Sequence, residues 1–205
     1  MTPDKQYISG YCTIEENCIT LNGQPYFDMP SIPFPDFAKQ AYQYSGISYP
    51  KFFKMDNLSK LAFLASDLLL KDEVKEGDNN NIALLFANNS SSLDSDVKHL
   101  DLISDKENYH PSPSVFVYTL PNICMGEISI RYGLHTENSF FIFENFNPQF
   151  FASYAGVMLT IHKAEKILCG WVEFYDEDYK AFMYLVKKEG DMKHTKENIY
   201  TLFNK

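Results

Sequence analysis

Four thiols, five imidazoles and several clusters of carboxylates are the groups in this 205-residue chain with the chemistry for catalysis or metal binding. A cysteine becomes a nucleophile only where a base or a cationic neighbour lowers its pKa. Cys12 and Cys18 have no histidine or basic residue close by in sequence; Cys124 falls in an apolar helical stretch and Cys169 in an apolar strand, the settings of small core residues. A metal centre announces itself by ligands at short, fixed spacings, and His99, His110, His135, His162 and His194 are scattered instead, as are the cysteines. Neither a metal nor a cofactor is expected. Asp94, Asp96 and Asp101, like the Asp176-Glu177-Asp178 turn, read as solvated acidic surface. Two polar constellations remain. Asn88-Asn89-Ser90-Ser91-Ser92 follows an unbroken apolar run, where a strand would end, and such loops at strand carboxyl ends either gather ligands or stay solvated. Glu144-Asn145 lies between an aromatic run and Asn147-Pro148, where it can orient a bound group or cap the next helix.

Composition narrows the partners. Net charge is −9, with 18 basic residues spread along the chain, so a phosphate backbone would find no electrostatic footprint and nucleic acid is set aside. The apolar content of 45% suffices for one substantial core, and residues 1–205 read as a single domain with a short C-terminal extension over 190–205. The opening MTPDKQYISGY has no basic segment followed by an apolar one, and no run reaches the length of a membrane span. A cytoplasmic protein with free thiols is the expectation.

The elements that must position these groups alternate along the chain. Residues 7–14 read as a strand and 18–21 as its partner or continuation, with Asn22-Gly23 as a turn. The stretch 24–53 carries Pro25, Pro30, Pro33, Pro35 and Pro50 among many aromatic residues, which predicts an ordered but irregular surface excursion. Asp56 caps a helix over 57–70, where Leu58, Leu61, Ala62, Ala65, Leu68 and Leu69 recur along one face. After a charged turn over 71–81, the run 82–87 has the length and uniform apolarity of a strand buried on both sides. Residues 97–113 read as polar and irregular. A second, apolar helix starts at Pro121 and stops at Gly133, with Glu127 and Arg131 spaced to pair. A strand over 139–143, a helix over 150–163, two strands over 167–174 and 180–187 joined by a tight turn, and a short helix over 195–203 complete the chain. The order β-α-β-α-β-α-β-β implies an α/β fold with a five-stranded mixed sheet, mainly parallel, and helices on both faces.

That order, together with particular residues, resembles the N-terminal half of the thiolase-like fold of β-ketoacyl synthases. The sharpest match is Thr119-Leu120-Pro121-Asn122-Ile123-Cys124-Met125-Gly126-Glu127-Ile128-Ser129-Ile130-Arg131-Tyr132-Gly133-Leu134, similar to the ketosynthase segment with an Asn, small residues, Gly, Ile, Ser, Ile and a closing Gly-Leu. Tyr49-Pro50-Lys51-Phe52-Phe53-Lys54-Met55-Asp56 resembles the family's approach to its first long helix, and 83–94 its second strand with the following loop, Asn88 and Asn89 standing for glycines. Cys169-Gly170-Trp171-Val172-Glu173 resembles a strand that usually ends in a Gly-Gly-Ala-Glu type sequence.

The departures carry the functional expectation. Counted from Gly133-Leu134, the position of the family's nucleophilic cysteine falls on Asn145 beside Glu144, within one residue, and an amide cannot form an acyl thioester. The family's two catalytic histidines come from a second half that is not in this sequence. The resemblance over the whole length is to short ketosynthase-like, chain-length-factor-like proteins of aryl-polyene and dialkylresorcinol pathways, which implies a subunit without condensing activity. Such a subunit pairs with a complete ketosynthase and shapes acyl-chain elongation in fatty-acid or polyketide-type synthesis. Ketosynthase dimers pair the strand corresponding to 139–143 across their two-fold axis. This places Ser139, Phe140, Phe141, Ile142, Phe143 and Phe146, with Asn122 and Met125, at or near an interface. Two other readings stay open: a homodimeric module that holds an acyl chain or acyl carrier protein at Asn145 and the loop Asn88, Asn89, Ser90, Ser91, and a cryptic acyltransferase or hydrolase acting through Cys124 or Cys169.

Overall fold

The computed structural model describes residues 6–75, 80–107 and 109–205. The N-terminal residues 1–5 and part of the charged turn after the first long helix, 76–79, lie outside the described residues. β1 (Tyr7–Glu15), β2 (Cys18–Leu21) and β3 (Gln24–Asp28) form consecutive hairpins. Their turns, Glu16-Asn17 and Asn22-Gly23, all have positive φ, the geometry that matches the twist of the flanking strands. Next come α1 (Phe34–Tyr44), a 3-10 turn over Pro50–Lys54, α2 (Asn57–Leu70) and β4 (Ile82–Asn88). Then follow α3 (Leu93–Ser104), α4 (Pro113–Val117), α5 (Ile123–Tyr132), β5 (Asn138–Ile142) and α6 (Pro148–Thr160). β6 (Lys166–Tyr175), β7 (Asp178–Lys187), the short β8 (Met192–Lys193) and α7 (Lys196–Phe203) close the chain.

The strands make one mixed sheet in the order β3-β2-β1-β7-β6-β4-β5, with β8 also beside β1. β4 runs parallel to β5 and to β6, and β7 runs antiparallel to both β6 and β1. The α/β architecture with a mixed sheet and helices on both faces holds, but among the described residues eight strands stand in place of five, and the sheet is mainly antiparallel instead of mainly parallel, because only β4 pairs in parallel, with β5 and β6. β7 lies between β6 and β1. Its tight turn at Asp176-Glu177, both at positive φ, allows only an antiparallel neighbour, and β1 then takes its free side.

Two cores share the sheet. α1, α2 and α5 cover one face, packing on Ile14, Leu84, Phe86 and Leu168; α6 and α7 cover the other, on Leu85, Ile167, Phe182 and Tyr184. Alternate residues of β4 feed alternate cores, which explains why this strand is buried at every position. α2 was expected to bury one face and instead buries every residue except Asn57 and Lys60, because the sheet, α1 and α5 surround it. Asp56 caps it as expected, accepting from the Ser59 N–H at 2.9 Å. Full burial of each of its leucines contributes about 1.5–3 kcal/mol.

Two stretches expected to be irregular contain regular elements. The prolines of 24–53 stand where they do not interrupt hydrogen bonding: Pro25 on the outermost strand, Pro33 and Pro35 at the cap and first turn of α1, Pro50 opening the 3-10 turn. They punctuate elements without preventing them. In the stretch after the Asn/Ser loop, α3 is helical to Ser104, yet only Ser95 is buried in it. Its apolar residues Leu93, Val97 and Leu100 face outward, so no core demand marks the helix in the sequence. No helix among the described residues is long and apolar enough to cross a membrane.

Candidate functional site

The parallel strands β4, β5 and β6 end at one rim of the sheet, and there the two polar constellations meet. Asn88 is fully buried at the end of β4. Its side chain clamps the loop by accepting from the Ser91 N–H at 3.0 Å and donating to the Ser91 carbonyl at 2.8 Å. This holds Ser91 in the left-handed region, at φ 56°. Asn89 donates its side-chain amide to the carbonyls of Phe143 and Glu144, at 3.3 and 2.9 Å, and so ties the loop after β4 to the turn after β5.

The third contributor is Glu173, near the end of β6. Its carboxylate accepts from the N–H of Asn89 at 2.6 Å, from the N–H of Ser90 at 3.2 and 3.3 Å, and from the Ser90 hydroxyl. The donors that an external anion would need are thus taken by the chain's own carboxylate. Ser92 donates to the Thr119 carbonyl at 2.8 Å, which fixes the entry to α3. Asn88, Asn89, Ser90 and Ser91 form a loop that is satisfied from within.

Glu144 and Asn145 lie in an exposed bend between β5 and α6. The capping role belongs to Asn147, whose side chain accepts from the Phe150 N–H at 2.9 Å. Neither the Glu144 nor the Asn145 side chain hydrogen-bonds another described residue. Cys124 and Cys169 are buried, and burial pushes both thiols up, that of Cys169 to about 12. Burial thus disfavours the thiolate at both positions, the opposite of the environment that activates a cysteine nucleophile. Among the described residues, no group of three or more His, Cys, Asp or Glu side chains could hold a metal ion.

The residues expected at an interface divide into two sets. Among the described residues, β5 is the last strand of the sheet, paired only on its β4 side. Ile142 is 49% exposed, and Asn122 is exposed at the start of α5. Phe140 leans on the core under α5, whereas Phe141 and Phe143 turn to the other face and meet Phe150, at ring distances of 4.7 and 4.8 Å. Ser139 shares a 3.3 Å hydrogen bond with the Tyr154 hydroxyl. Met125 is buried, and Phe146 points inward to stack on Phe203 at 4.2 Å, so these two serve the cores. What β5 offers outward is its backbone edge and Ile142.

Sequence spacing missed the buried charges behind this rim. Glu127 pairs with Lys51 at 2.7 Å and accepts from the Tyr118 hydroxyl at 3.1 Å. Its expected partner Arg131 lies over the rings of Tyr49 and Tyr132 instead, 5.3 and 5.8 Å from their centroids. Helix spacing permits the Glu127–Arg131 pair, but Glu127 faces the core, where Lys51 reaches it. Asp67 accepts from the Tyr132 hydroxyl at 2.5 Å, and Asp56 from the Ser95 hydroxyl at 2.8 Å; burial raises the pKa of both carboxyls.

No protein-family model and no curated protein sequence matches the chain. Solved structures do match. The ishigamide ketosynthase/chain length factor aligns with a TM-score of 0.62 at 15% identity, covering 89% of this chain and 62% of that one. A type II polyketide synthase ketosynthase structure, in complex with its acyl-carrier protein and bound to a hexaketide, gives 0.61 at 14% identity, covering 91% and 63%. A ketosynthase in complex with its chain length factor, from Xenorhabdus doucetiae, gives 0.56 at 12% identity, covering 91% and 80%. The chain spans less than two thirds of the length of the first two. It has the thiolase-like fold of these ketosynthases and chain length factors.

Proposed function

We propose that this chain is a ketosynthase-like subunit without condensing activity, which pairs with a complete β-ketoacyl synthase in the cytoplasm to support acyl-chain elongation in a fatty-acid or polyketide-type pathway such as aryl-polyene synthesis. The observation that carries this reading is the open edge of β5, which runs directly into a turn bearing Glu144 and Asn145 and no thiol. A short, aromatic, uncharged edge strand is a liability unless another strand covers it. A partner that adds a strand there would bury Ile142 and bring its own acyl site beside this turn. Condensation needs an acyl thioester, and neither an amide nor a carboxylate side chain forms one, so the nucleophile must be the partner's. Neighbours of the same fold include a ketosynthase held in complex with its chain length factor.

Co-expression with a complete ketosynthase from the same cell tests the reading. A one-to-one heteromer in native mass spectrometry is expected, and Ile142→Lys, which places a charge on the edge, should abolish it while the far-UV spectrum of the chain is unchanged. A chain that stays alone or homodimeric in the presence of that ketosynthase would sink the proposal, the homodimer pointing instead to a self-paired binding module.

A further inference from the structure

α3 is laid on the molecule with its apolar stripe outward. Leu93, Val97 and Leu100 recur at i, i+4 and i+7 along one side, and each is at least 39% exposed. The opposite side holds the helix to the body: Ser95 donates to the Asp56 carboxylate at 2.8 Å, and Ser92 at the helix start donates to the Thr119 carbonyl. α4 lies alongside, the Phe116 ring 5.4 Å from that of His99. It brings Phe116, Val117 and the following Leu120, all exposed, so two adjoining helices turn large apolar side chains to solvent. A contiguous apolar surface of this kind, rimmed by polar residues, marks an interaction site. The described chain breaks off at Gln6, which bonds α6 on the opposite face, and at Lys75 and Asn80, before the start of β4, whereas α3 follows its end; the single residue 108 comes after the last turn of α3.

The border of this surface is acidic. Helical spacing sets Asp94 and Asp101 along one side of the α3 stripe and Asp96 along the other, and Asp105 and Glu107 follow the helix. Of the cations nearby, Lys98 is held by Asp94 at 2.6 Å, Lys60 of α2 neighbours Asp56, and Lys106 stands between Asp105 and Glu107. Residues 109–126, which supply α4 and Leu120, contain no Asp, Glu, Lys or Arg. An apolar stripe bordered by carboxylates selects its cover by charge. A second copy would set the same aspartates against one another, and nucleic acid or an anionic bilayer is repelled in the same way. The face that matches is apolar along its middle and carries Lys or Arg at its margins. An amphipathic segment laid along a helix presents that pattern.

We propose that the α3–α4 face docks a cationic amphipathic segment of another protein, its apolar side chains covering Val97, Leu100 and Phe116 and its Lys or Arg side chains meeting Asp94, Asp96 and Asp101. The proposal does not depend on pairing through β5. The probe is a helical peptide of Leu and Lys with leucines at i, i+3, i+4 and i+7, titrated into the whole chain and followed by amide signals and calorimetry. Saturable binding is expected, with shifts concentrated in residues 93–120. Affinity should fall at least about tenfold when Glu replaces every Lys of the peptide, and by about tenfold in the double variant Val97→Ser, Leu100→Ser, whose two exposed positions serve neither core. Ile142→Lys should bind the peptide as the wild type does. Equal binding of the Lys and Glu peptides, undiminished binding by the serine variant, or shifts lying elsewhere would each overturn the assignment. So would self-association, or binding to phosphatidylglycerol vesicles, that the serine variant abolishes, whether or not a ketosynthase partner is found.

Discussion

His194 shows how a single residue reports its surroundings. Burial pulls its pKa down from the ordinary value to about 4, so the folded chain keeps the ring neutral at pH 7. Between the folded and unfolded pKa values, the unfolded chain binds more protons, and stability therefore falls as pH is lowered through that window. From pH 7 to pH 5 the loss attributable to this ring is about 2 kcal/mol. Urea unfolding of wild type and His194→Phe at the two pH values measures it: the wild type should lose more than the variant by about that amount, and parallel losses would mean that the ring is not buried neutral. Tyr132 makes the complementary case. Its hydroxyl is the hydrogen-bonding partner of buried Asp67, and Tyr132→Phe leaves that carboxyl unpartnered at a cost of about 1–3 kcal/mol in the same assay.

At the scale of elements, Glu173 joins what the sequence keeps apart. Three donors from the loop after β4 converge on a carboxylate from β6, and that loop in turn holds the turn after β5 through Asn89. Glu173→Ala should cost about 2 kcal/mol and speed amide exchange at Asn89 and Ser90 well before it affects the centre of β4. Unchanged exchange there would show that Asn88 holds the loop unaided. The elements themselves were legible where one physical demand dominated: β4 by its uniform apolarity, α5 by its stop at Gly133 in the left-handed region, α6 by its Asn147-Pro148 start. Legibility failed where the demand was tertiary. The prolines of 24–53 look like breakers until α1 is seen to begin at them, and α3 turns its apolar stripe outward, so its pattern announces no core. The meeting of Asn89, Glu144 and Glu173 depends on strand order, which no local spacing encodes; resemblance placed Glu173 at a strand end but gave no hint of its partners. The inward turn of Phe146 is hidden for the same reason, since its stacking partner Phe203 lies in the last helix.

The whole molecule is two cores on one sheet, and that arrangement makes a quantitative demand. Residues of β4 alternate between the cores, so neither helical layer can detach without exposing a face of the same central strands. α7 looks peripheral, yet Ile199 and Leu202 are fully buried against the second core, and Lys180 of β7 lies 4.7 Å from the Phe203 ring. If the sheet couples the layers, the chain unfolds in one transition, and small cavities on opposite faces subtract from the same free energy. Ile128→Val in α5 and Ile199→Val in α7 test this because each removes one methyl group from a fully buried site at a cost of about 0.5–1.5 kcal/mol. The sites share no packing partner, so the double variant should lose the sum of the two within about 0.5 kcal/mol, with the urea slope unchanged. A lone α7 transition at lower urea, visible as a reduced slope in the Ile199→Val variant but not in Ile128→Val, would mean that the C-terminal helix opens independently of the sheet.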